Sequence, residues 1–240
     1  MAVFWVARYE WFQLIKSFKT IGVIVSLLLM SYGLSSLQNL ASEAMMTEDL
    51  ALTDVNETVM IVFLFGTFGI GFLYVFSLSH DIINRDISLQ SIRFTLTKIS
   101  RLSLLSGKFL GVFMFWFVCI TLCLLLLTIF SGTNVLSGII PLAIFFLYTV
   151  AATLLLSLCI PKPGMSMFVG LLLGIGAPIF AIVAQFRDDP ILTIIHQYVL
   201  PYYPLLEGVT MQSPELYFIP LVWAVVFFAL AFLLLNRKDV

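Results

Sequence analysis

Few side chains in this sequence are equipped for chemistry, and their spacing excludes most of it. The 240 residues include two histidines, His80 and His196, and three cysteines, Cys119, Cys123 and Cys159. Cys119 and Cys123 are an i, i+4 pair, but no histidine or acid lies nearby to complete a metal site. All three thiols lie in apolar runs, where buried packing is expected and a disulfide framework is not. His80 stands at the edge of an apolar run and reads as a boundary residue. An intramembrane protease, the best enzymatic alternative, needs a buried Ser–His or Asp pair, or zinc ligands. Neither histidine has a Gly-x-Ser-type nucleophile or a metal-spaced partner.

Nucleotide chemistry is also missing. A phosphate-binding loop reads Gly-x-x-x-x-Gly-Lys and then Ser or Thr. Gly107-Lys108 is the near match, yet Phe109 follows it and Leu102 stands where the first glycine belongs. Any ATP that drives this protein is therefore expected to be bound, with its magnesium, by another chain. An ion-coupled carrier normally keeps an ionisable group inside the membrane. The apolar runs here carry none, and no inverted repeat is visible.

The elements that must position these residues are long and apolar. Hydrophobic residues make up 61% of the chain and charged ones 10%, against about 25% charged in a soluble domain. A helix crossing about 30 Å of hydrocarbon needs about 20 apolar residues. Six windows qualify, at 21–37, 59–79, 109–130, 138–160, 165–186 and 216–235, and none contains Lys, Arg, Asp or Glu. Their apolar character is continuous, which favours helices over a barrel. The expected fold is all-α and integral to the membrane: one transmembrane domain over 1–240, with no soluble domain.

Charge asymmetry sets the expected orientation. Of the twelve basic residues, eleven fall on one side: Arg8, Lys16 and Lys19, the five between spans two and three, Lys162, and Arg237 and Lys238. Only Arg187 falls on the other, which holds nine acids. Both termini are expected in the cytoplasm of a multi-pass protein of a prokaryotic plasma membrane.

Three segments are not spans. Residues 3–20 read as an amphipathic interfacial helix, with Tyr9, Glu10, Gln13 and Lys16 on one side and Phe4, Trp5, Trp11, Phe12 and Ile15 on the other. It is either a simple anchor or an elbow leading into span one. In the basic segment 81–101, hydrophobics alternate with charges and hydroxyls, a pattern open to a short helix and a turn, while composition alone favours a solvated basic loop. The outer segment 187–215 holds only about ten consecutive apolar residues, too few to span, and its prolines break it into pieces. It is expected either to re-enter the bundle as an outer gate, with His196, Tyr202 and Tyr203 as its candidate residues, or to lie flat on the lipid. Glycines 66, 69 and 71, and 170, 174 and 176, permit close helix contact, within one subunit or at a moving dimer interface.

The order Ile83-Asn84-Arg85-Asp86-Ile87-Ser88-Leu89-Gln90-Ser91-Ile92-Arg93-Phe94, then Thr97-Lys98-Ile99-Ser100-Arg101 and Gly107-Lys108, resembles the cytoplasmic loop of type-2 ABC exporter permeases. The likeness extends in layout to the whole chain. Three features depart from the family pattern: Asp86 stands for the usual Glu, Gln90 for a common Gly, and a proline after Lys98 is missing. The resemblance implies a coupling helix that docks on a cytoplasmic ABC ATPase, with Arg85, Asp86 and Arg93 at the contact. It also implies a second permease copy or paralogue, and two ATPase subunits carrying ATP and magnesium. No cofactor, metal or nucleic acid is expected on this chain. A charge-free path suits a hydrophobic or amphipathic cargo such as a peptide, drug or lipid. The alternative reading is a non-transporting membrane partner, such as an immunity or scaffold protein.

Overall fold

The structure is a computed structural model describing residues 2–45, 52–131, 135–187, 189–210 and 213–237, with side chains described for these except at 37–45, 52–59, 93 and 131. Of the residues used for the orientation, Glu48, Asp49, Asp188 and Lys238 lie outside the described residues. The described residues contain helices and turns and no strand.

Helix α1 covers Ala2–Lys16 and is followed without a loop by α2, Phe18–Met45, and then α3, Leu52–Ser79. Two short helices, α4 (Asn84–Ser88) and α5 (Ser91–Leu96), precede α6 (Arg101–Ser131). After α7 (Ile139–Cys159) and α8 (Pro163–Gln185) come α9 (Pro190–Ile194), a π-helical turn at Ile195–Val199, α10 (Tyr202–Thr210) and α11 (Phe218–Arg237). Six helices, α2, α3, α6, α7, α8 and α11, are long and apolar enough to cross a membrane. The chain is a multi-pass helical membrane protein.

Burial separates the centre from the rim. In α7 56% of the apolar window is buried, against 22% in each of α2, α8 and α11, so α7 is the axis and the other three face outward. Aromatic rings fill the centre: Trp116 stacks on Phe146 at 5.0 Å, and Phe145 sits 4.8 Å from Phe68. Lipid supplies no hydrophobic force between helices, so close packing must hold them. On α8, a Cβ at Gly170 would come 3.1 Å from Phe76 and one at Gly174 2.9 Å from Leu73, both on α3. Gly66 and Gly71 are similarly filled by Met30 and Phe145, whereas Gly69 and Gly176 face open space. Most of these glycines thus serve packing within the subunit.

Several hydroxyls inside the bundle are satisfied by the carbonyl one turn back, as an apolar solvent favours, although those of Thr67 and Ser79 are buried without a partner. Thr149 donates to the Phe145 carbonyl at 3.0 Å and Thr153 to that of Thr149 at 2.7 Å. Arg101 donates to the carbonyls of Leu235 and Asn236 at 2.8 and 2.9 Å, a cation at the C-terminal end of α11 where the helix dipole favours it. Cys119 and Cys123 are buried as expected, but Cys159, at the last turn of α7, is exposed.

Candidate functional site

The basic segment between α3 and α6 folds into a small platform. Its first helix, α4, has no side-chain cap of its own. Ser157 of α7 supplies one from outside: its hydroxyl accepts from the backbone N–H groups of Ile83 at 3.0 Å and Asn84 at 3.1 Å. Asn84 is fully buried, and its side-chain amide donates to the Ile160 carbonyl at 3.3 Å. Together these bonds fix α4 to the end of span four.

A second anchor is ionic. Lys108, near the start of α6, is 4% exposed. Its ammonium donates to Glu10 of α1, to Asp86 of α4 at 2.8 Å, and to the Ile82 carbonyl at 2.7 Å. Three acceptors match the three protons of an ammonium, which is what a cation so far from water needs. One lysine thereby joins α1, α4 and α6. The pair also explains the close approach of α1 to α6: a Cβ at Gly107 would lie 2.5 Å from the Val6 Cβ, and one at Gly111 2.6 Å from the Ala7 carbonyl oxygen.

Alpha1 therefore differs from the simple amphipathic expectation. Glu10 is buried against α6, whereas Phe4, Trp5, Phe12 and Ile15 point outward. Burial of Glu10 follows from Lys108, and outward aromatics suit a helix beside lipid. Between α1 and the platform runs an open groove of about 830 Å³, lined by Trp5, Tyr9, Glu10, Asp86, Phe94, Lys98 and Lys108 among others.

The three residues expected on one docking face are not equivalent. Arg85 is exposed and 4.0 Å from Asp81. Asp86 turns inward to Lys108, with its side chain 33% exposed. Arg93 belongs to α5, but its side chain lies outside the described residues. Leu89 and Phe94, instead, are 66% and 78% exposed and form the apolar part of the surface beside Arg85. Sequence reasoning missed Glu10, Lys108 and Ser157 as a set. The available signal was a lone acid in an aromatic helix and a lone lysine opening an apolar one.

At the opposite end, the outer segment packs on α3, α7, α8 and α11. Tyr148 of α7 donates to the Val199 carbonyl at 3.0 Å. Tyr148 lies about 13 Å along α7 from its first residue, at 1.5 Å per residue, so Val199 reaches well inside the bundle. Pro190 and Pro201 divide the segment, and Asp189 caps α9 by accepting from Ile191 N–H. Tyr202 is 5% exposed and packs on Phe72 at 5.8 Å. His196, also 5% exposed, meets the Tyr203 ring edge-on at 5.3 Å. Both His196 ring nitrogens and the Tyr202 hydroxyl are buried with no hydrogen-bond partner. Desolvation lowers the His196 pKa and raises that of Tyr202, so both rings are neutral at pH 7. No family model matches the chain, and no curated protein matches it in sequence.

Proposed function

We propose that this protein is the membrane-spanning half of an ATP-driven exporter of the type-2 ABC kind, carrying a hydrophobic or amphipathic cargo out of the cell. The single supporting observation is the segment 83–108. Its residue order resembles that family's cytoplasmic loop, and it folds into two short helices held rigidly by Ser157 and Lys108. A rigid platform with exposed Leu89 and Phe94 and a flanking Arg85 suits reception of force from a separate subunit. In this reading α1 is the elbow helix, α4 and α5 form the coupling segment, and both termini face the cytoplasm by the charge asymmetry. The outer segment closes the path from outside. A second permease copy completes a twelve-span core, and the partner ATPases bind ATP and magnesium.

The experiment is reconstitution in proteoliposomes with each span-free ABC ATPase of the source organism in turn. Stimulated ATP hydrolysis is expected with the unaltered chain and is expected to be lost with Leu89→Asp/Phe94→Asp, which leaves both anchors intact. Unchanged stimulation in that variant, or hydrolysis by the purified chain alone, overturns the reading.

A further inference from the structure

A small cavity of about 30 Å³ lies between α3, α8 and the outer segment, with His196 and Tyr202 in its lining. Both side chains are buried, and three of their polar atoms have no partner: the two His196 ring nitrogens and the Tyr202 hydroxyl. A buried polar atom left unpaired bears its full desolvation cost, and native structures keep few of them without a reason. His196 also belongs to the π-helical turn Ile195–Val199, a geometry that is rare and found mostly at functional sites.

The lining limits what can enter. Besides these two residues its one polar member is Gln185, and no Lys, Arg, Asp or Glu takes part. A charged guest would meet no counter-charge, which favours a neutral one. A neutral imidazole offers one donor and one acceptor, and a phenol can do either. A guest hydroxyl can donate to one ring and accept from the other, whereas a ketone or an ether can only accept. The volume exceeds the roughly 10–15 Å³ that one water needs, enough for a hydroxyl and the carbon that bears it. Phe65 and Ile182 belong to the same lining and are exposed on the outside of the bundle, so the polar end of the cavity is continuous with an apolar rim.

We infer that this cavity binds the terminal hydroxyl of a long-chain aliphatic alcohol, with the hydroxyl between His196 and Tyr202 and the chain leaving past Phe65 and Ile182. The inference stands independently of the exporter reading.

The test is photolabelling of the full chain, in amine-oxide micelles free of other hydroxyls, with dodecanol carrying a diazirine near its hydroxyl. Crosslinks are expected in peptides covering 178–185 and 196–206. Unlabelled dodecanol should compete about two- to ten-fold better than dodecyl methyl ether, the worth of one hydrogen bond. His196→Phe and Tyr202→Phe keep a ring while removing the polar atoms, and each should reduce that preference. Neither should lower thermal stability, because each removes an unpartnered buried group. Crosslinks spread along the outward faces of α2, α8 and α11 would show ordinary solvation by an apolar chain and overturn the site. Equal competition by alcohol and ether, or a preference that survives in both variants, would show that these rings do not read a hydroxyl. A loss of stability in Tyr202→Phe would show its hydroxyl already bonded, as by a fixed water, and would equally overturn the assignment.

Discussion

The Ser157 hydroxyl lies 3.1 Å from the backbone nitrogen of Asn84 and serves as the N-terminal cap of a helix 73 residues earlier in the chain. A cap borrowed across this distance ties local folding of α4 to completion of α7. Ser157→Ala leaves two buried N–H groups unmatched, a cost of about 1–3 kcal/mol. Hydrogen exchange at residues 83–88 should quicken by about five- to 150-fold, with the long helices unaffected. Unaltered exchange there would show that α4 does not depend on the serine.

The contact between α1 and α6 makes a sharper prediction, because it depends on space alone. Gly107→Val must push Val6 and the Val3 carbonyl aside, separating the helices and opening Leu14, now 9% exposed. In a background without the three native cysteines, Leu14→Cys should react with maleimide only when Gly107→Val is also present. Gly176→Val meets nothing within 4 Å and should leave Leu14→Cys protected.

The lysine bridge predicts non-additivity. Lys108→Met leaves Glu10 buried without a counter-charge, which costs about 3–5 kcal/mol. Adding Glu10→Met removes that charge and should recover most of the loss, since a buried ion pair replaced by apolar residues is often neutral. The readout is the temperature at which purified protein loses its monodisperse elution peak. A double variant no more stable than Lys108→Met alone would refute the coupling.

The outer segment should respond to acid. His196 has its pKa lowered by desolvation from 6.5, and Tyr202 and Tyr203 are the titratable groups placed against it. The unfolded or opened segment therefore binds a proton more readily than the packed one. Stability is complete above about pH 6.5 and falls as the pH drops through that value toward the lower folded pKa. Hydrogen exchange over 195–203, corrected for the intrinsic rate, should show opening that increases as the pH falls below about 6.5 in the unaltered chain. His196→Phe, which keeps a ring and cannot be protonated, should abolish the response.

Legibility in the sequence followed the physics of each element. The spans were plain because about 20 apolar residues have few other fates. Alpha6 begins at Arg101, ahead of the window expected at 109, because α1 packs along its first turns and supports helix where hydropathy is mixed. The outer segment was readable as short and broken, from Pro190 and Pro201. Its burial was not, since it rests on tertiary contacts such as the bonds from Tyr148 and Trp223 and the packing of Tyr202 on Phe72. Asp86 looked like a surface residue because nothing in its neighbourhood of sequence announces Lys108. Gln90 was noticed as a departure where glycine is common in the resembling family, and it is the described non-glycine residue with a left-handed backbone, at φ 55°. The tight turn between α4 and α5 is kept at the strain a side chain brings there.

Lys108 also has a history written in the order of the chain. Ribosomes make Glu10 first, Asp86 next and the lysine last, so both carboxylates are waiting on their side when the cation emerges. Span three can thus enter the bilayer with both carboxylate acceptors of its ammonium already made. The closing of that bridge can mark the moment at which α1, α4 and α6 become a single body. A chain with the lysine moved ahead of Glu10, by circular permutation through the 46–51 region, would lose this sequence of events while keeping the residues of the bridge.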